Sequence, residues 1–88
     1  MTEQTTLLEF PCEFPIKAFG KHADDFEAHI YALVQAHVPE LERSAVTARD
    51  SRGGKYLAVT VHIIARSQAH LDAIYGDLSN DDAVLMAL

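Results

Sequence analysis

The sequence predicts an α+β domain whose elements run in the order βαββαβ. Three observations predict it. Gly53-Gly54 separates two stretches that alternate in polarity, the mark of an antiparallel hairpin. An amphipathic segment of helical spacing lies on each side of that hairpin. Beyond each of these segments stands a short apolar stretch, Ile16–Phe19 at one end and Val84–Leu88 at the other.

Residues 1–13 read as a lead-in and 14–88 as one domain. Glu9-Phe10-Pro11 is echoed by Glu13-Phe14-Pro15, and two prolines so close exclude a helix interior. Phe10 and Phe14 are expected to cover one end of the core. The first strand is expected over Ile16–Phe19, with Pro15 at its first position, because proline breaks a ladder further in. Gly20 ends that strand. Asp24, Asp25 and Glu27 then crowd the first turn of a helix, where carboxylates oppose the positive end of its dipole. Phe26, Ile30, Leu33 and Val34 give that helix its apolar stripe, and Pro39 lies beyond its end.

A weaker strand covers 44–50, with Val46 and Ala48 on one side and Thr47 and Arg49 on the other. Gly53-Gly54 is expected to be a two-residue turn. After it, Leu57, Val59, Val61 and Ile63 alternate with Ala58, Thr60, His62 and Ile64. Ser67 is placed to cap a second helix, whose buried stripe is Leu71, Ile74, Tyr75 and Leu78. Ser79-Asn80-Asp81 makes the last turn, and strict alternation puts Val84, Met86 and Leu88 inward in a terminal strand.

Composition narrows the function. The net charge of −6, from 13 acids and 7 bases, opposes binding to nucleic-acid phosphates or anionic membranes. A single cysteine, Cys12, rules out an intrachain disulfide and fits a reducing compartment. Met1–Glu9 lacks a basic start followed by an apolar core, and no apolar run reaches spanning length, so a cytoplasmic location is expected.

The landmarks Leu8-Glu9-Phe10-Pro11, Phe14 and Lys17 with Gly20, Ser51 near Gly54 and Tyr56, and Ile74-Tyr75-x-x-Leu78 before Val84-x-Met86-x-Leu88 resemble the YbeD-like family of small bacterial proteins. The resemblance runs from Leu8 to Leu88. It implies a ferredoxin-like sandwich: a four-stranded antiparallel sheet of order 4-1-3-2 with both helices on one face. The family's shape is similar to ACT regulatory domains such as that of phosphoglycerate dehydrogenase. With the family's genomic association with lipoate-attachment enzymes, this implies a regulatory role, sensing a lipoate- or amino-acid-related metabolite as a homodimer. The alternative is an adaptor that binds a protein, such as a metabolic enzyme, without any small ligand. The resemblance brings no catalytic residue and no cofactor.

In that fold the sheet face away from the helices is expected to carry Lys17, Phe19, Ala58, Thr60, His62, Ile64, Leu85 and Ala87, with no carboxylate. The candidate interface is Phe19, Thr60, His62, Ile64 and Leu85, joined by Arg49 and Arg52 from a hairpin cluster that also counts Arg43 and Lys55. By analogy with ACT domains, Gly20, Lys21 and His22 are the candidate ligand loop. No metal site is expected, since His22 and His29 lack the i, i+4 spacing of helical zinc ligands. Cys12 has Glu9 and Glu13 nearby and no base, so catalysis is not expected either. The central strand shows one stacking aromatic at most, too few for an RNA platform.

Overall fold

Alternation over Tyr56–Ala65 sets the frame. In this strand, β3, every second residue from Leu57 to Ala65 is buried and the residues between are not. The computed structural model describes residues 9–88. Around β3 stand β1 (Cys12–Lys21), β2 (Val46–Asp50) and β4 (Met86–Ala87), with helices α1 (Phe26–Gln35) and α2 (Gln68–Ser79). All pairings are antiparallel and the sheet order is β2-β3-β1-β4, as the resemblance implies. Ile16 and Ala18 from β1, Val59, Val61 and Ile63 from β3, and Ile30, Val34, Leu71, Ile74 and Leu78 from the helices form one core. Phe10 and Phe14 pack against it, and Phe14 meets Tyr75 edge-on at 6.4 Å.

Local chemistry explains the helix ends. Ser67 stands at an extended N-cap, and its Oγ accepts the amide of His70 at 3.0 Å. Asp25 precedes α1 without a side-chain cap, so that end rests on Phe26 being anchored in the core.

Four expectations need correction. The first strand is longer than Ile16–Phe19, and Cys12 and Glu13, assigned to the lead-in, are already within it. Pro15 therefore lies inside a central strand, opposite His62. It fits because Lys17 exchanges both backbone bonds with Leu88, so residues of its parity turn their amides toward β4. At Pro15 that side is past the end of β4, and no ladder bond is lost.

The hairpin is also longer than two residues. Gly53 and Gly54 do take φ of 85° and 70°, but they sit in a loop closed by the Ser51 amide on the Tyr56 carbonyl at 2.9 Å. Arg43 is not at this hairpin; it precedes β2 at the opposite end and lies over the Tyr31 ring at 5.0 Å.

The last correction concerns register. Ala87 lies opposite Ala18 and Met86 opposite Phe19, so Ala87 points inward and Met86 outward, the reverse of strict alternation. The Asp81 turn extends through Val84, whose amide reaches the Asp81 carbonyl, and Leu85 already bonds to Phe19 before Met86 pairs with it. A shift of one residue exchanges the faces.

Candidate functional site

The sheet has one covered face and one open face. On the open face β1 presents Glu13, Pro15, Lys17 and Phe19, and β3 presents Tyr56, Ala58, Thr60, His62 and Ile64. Edge strand β2 adds Thr47 and Arg49, while β4 adds Met86, with Leu88 continuing its parity beside Lys17. Glu13 puts a carboxylate on this face, opposite Ile64, because β1 starts early; the expectation of none fails at that end. Ile64, Met86 and Leu88 are 47%, 51% and 60% exposed, and Phe19 is half-buried.

Of the candidate interface residues, the structure brings Phe19, Thr60, His62, Ile64 and Arg49 together on this face. Leu85 does not join them. It turns to the helix side and lines a groove with Phe26 and His29. Met86, Leu88 and Thr47 take places that sequence reasoning missed. Arg52 lies in the hairpin loop beyond β2.

Rows of paired residues define the middle of the face. Lys17, Thr60 and Thr47 form one row across β1, β3 and β2, and Phe19, Ala58 and Arg49 form the next. These residues and Ala48 line a shallow groove of about 490 Å³. Two other grooves have similar size but carry acids. One, beside the β1–α1 loop, has Asp25 and Asp82 in its walls, and the other has Glu13, Glu40 and Glu42. Among the described residues, no carboxylate lines the groove between Lys17 and Arg49.

The candidate ligand loop divides. Gly20 is buried and faces the helices, so it offers nothing to a ligand. A Cβ built there would come within 2.5 Å of the Ala83 carbonyl oxygen and 2.6 Å of the Phe26 ring. It is the point where β1, α1 and the chain entering β4 approach one another. Lys21 and His22 are exposed. His22 pairs with Asp50 at 3.1 Å, and its amide bonds to the Lys55 carbonyl, which ties this loop to the hairpin. Lys21 lines the groove that holds Phe26, Leu85, Asp25 and Asp82, about 550 Å³ in volume.

The histidines mostly tie α1 to α2 and its following turn. His29 meets Asp81 at 2.7 Å and His37 meets Asp77 at 2.6 Å. His70 Nδ1 accepts the Arg66 amide, so its proton sits on Nε2 and is donated to the His37 carbonyl at 2.8 Å. Burial pushes the Asp81 carboxyl up, but the Ala83 amide and His29 outweigh it and hold the group below its ordinary range. Among the described residues, no three His, Cys, Asp or Glu side chains gather as a metal site would need. Among the described residues, no helix is long and apolar enough to cross a membrane.

Comparisons with known proteins match this chain over nearly its whole length. Residues 5–88 fit the family described as "Protein of unknown function (DUF493)". A UPF0250 protein of Hahella chejuensis is 41% identical over 92% of this chain and 89% of its own. One from Chromobacterium violaceum is 41% identical over 98% of this chain and 97% of its own, and one from Nitrosomonas europaea is 38% identical over the full length of both. The solution structure of protein HP0495 from H. pylori superposes with a TM-score of 0.76, covering 97% of this chain and 89% of that one. At 14% identity, that likeness speaks for the fold alone.

Proposed function

We propose that this chain, which belongs to the DUF493 (UPF0250) family of small bacterial proteins, is a non-catalytic regulatory module that docks on another protein through the open face of its sheet. The observation that carries this reading is the face itself. Antiparallel sheets with a solvated face usually turn polar residues outward. Here Met86 and Leu88 stand out into solvent beside the half-buried Phe19 and Lys17, and Ile64 does so at the far end of the same face opposite Glu13, whereas the opposite face is closed by two helices. Large apolar side chains grouped on one surface favour a protein contact.

Photo-crosslinking in cells tests it. A photoreactive residue at Ile64 is expected to give a defined adduct, and the same residue at Ala69 on exposed α2 is expected to give none. Equal labelling from both positions, or none from either, refutes docking on this face. An adduct of twice the chain mass would point instead to a homodimer built through it.

A second reading, sensing of a small metabolite, is favoured by the groove beside Lys21. Its apolar walls, Phe26 and Leu85, and its mixed charges suit a small amphiphile better than a simple anion. Thermal-shift titration with amino acids, lipoate and octanoate tests it. A saturable rise that Leu85→Glu removes supports sensing, and no rise across the panel refutes it for these compounds. Gly20 is the wrong position for such a test, since any side chain there collides with the fold.

A further inference from the structure

We propose that the groove across the middle of the open face seats an acidic segment of the partner protein, running along β3 between Lys17 and Arg49. The inference rests on the docking reading and adds the partner's chemistry. It starts from strand geometry. Lys17 lies on β1 and Arg49 on β2, one on each side of β3, with a row's offset between them. At a strand spacing of about 4.8 Å, their backbones stand on the order of 12 Å apart, the width of one extended segment and its side chains. The floor between them is small and partly polar: Ala58, with Thr60 and Thr47 offering hydroxyl donors to carboxylates. Phe19, across Ala58 from Arg49, stands in the β1-side wall and gives an apolar contact.

Charge selects the occupant. The chain is acidic overall, yet among the described residues this groove has two cations and no carboxylate in its walls. The acids of α1, α2 and their loops stand on the other side of the sheet, and salt screens exposed charges beyond about 8 Å. Among the described residues, Arg49 makes no ion pair of its own. A second copy centred on this groove would bring the Lys17 and Arg49 of both chains together, like charge against like, which disfavours it here. Single-stranded nucleic acid fits less well, because among the described residues Phe19 is the one aromatic lining the groove, and Tyr56, the next on this face, lies outside it beyond Ala58.

The test uses the full chain, labelled with 15N, and a short repeat peptide of alternating glutamate and threonine. A lysine–threonine repeat and an oligouridylate of the same length are the comparison probes. The glutamate peptide is expected to move the amides of Thr47, Ala58 and Thr60 saturably, with weaker binding at high salt. Arg49→Glu is expected to lower its affinity about tenfold or more. Arg66→Glu, on the far side where Arg66 pairs with Glu40, is expected to leave it unchanged. No saturable shift, equal shifts with the lysine peptide, or tighter binding of the oligouridylate at the same amides overturns the proposal. The two readings fail separately. An Ile64 crosslink that Arg49→Glu leaves undiminished keeps the docking face and removes the acidic segment. Peptide binding without any crosslink removes the docking partner and leaves an anion seat.

Discussion

Gly20→Ala puts the packing argument at its sharpest. Gly20 does not have a left-handed φ, so alanine fits its backbone without torsional strain. By reducing the freedom of the unfolded chain, the substitution would on its own stabilise by about 0.4–1 kcal/mol. Opposing it is a methyl group 2.5 Å from the Ala83 carbonyl oxygen and 2.6 Å from two carbons of the Phe26 ring. The ring is 3% exposed and anchors the first turn of α1, and the oxygen is backbone, so neither moves freely. Overpacking of this kind costs about 1–3 kcal/mol. The steric term wins, and the net loss is expected at about 1–2 kcal/mol. In a domain of this size each kcal/mol lowers the melting midpoint by about 4–8 °C. Urea unfolding should show a lower midpoint with an unchanged slope. The comparison variant is Gly76→Ala in the exposed part of α2, where a Cβ meets nothing within 4 Å and a gain of up to about 1 kcal/mol is expected. Phe26→Leu, which removes the ring, should reduce the cost of Gly20→Ala in a double-mutant cycle. If Gly20→Ala proves as stable as the parent, or if the cycle shows no coupling, the close approach at Gly20 is not as described.

Two further stability experiments address the helix layer. Ser67→Ala removes the side-chain acceptor of the His70 amide and should cost about 1 kcal/mol by urea unfolding, while Ser67→Asp should retain most of it; an unchanged Ser67→Ala would show the cap to be idle. Asp81 is held below its ordinary value of 3.8, so its contribution is present above that pH and is lost as pH falls through the folded-state value. Asp81→Asn should therefore be less stable than the parent at neutral pH, with the gap closing in acid. A gap that persists in acid would mean that the carboxylate's charge is not what counts.

The elements that could be read from the residues are those where one face is deeply buried. In β3, buried positions alternate from Leu57 to Ala65, and a slip of one residue would expose all of them, so alternation alone fixes which residues face the core. The α1 and α2 stripes are set in the same way by Ile30, Val34, Leu71, Ile74 and Leu78. The ends of β1 were less legible. Proline is a ladder breaker only where its amide would have a partner, and at Pro15 that depends on where the remote strand β4 stops. No local pattern around Pro15 carries that information.

The same limit governs the candidate site. The apolar residues of the last segment were visible, but their faces were not. A ladder of two residues has too little alternation to fix its register, and the turn from Asp81 through Val84 decides it instead. The carboxylate of Asp81 on the Ala83 amide was the one local sign that the turn continues past Asp81. Its effect is large because the strand is short: Met86 moves onto the open face beside Phe19, and Leu85 moves off it to the groove with Phe26. Pairing across three strands matters in a second way. Lys17 and Arg49 are far apart in the chain and belong to no shared motif, and only the registers of β1 with β3 and of β3 with β2 set them on either side of Ala58 and Thr60. A net charge of −6 argues against an anionic partner for the molecule as a whole. Recognition is decided over a groove, and there the described walls bear two cations and no acid, so local charge takes precedence over the total.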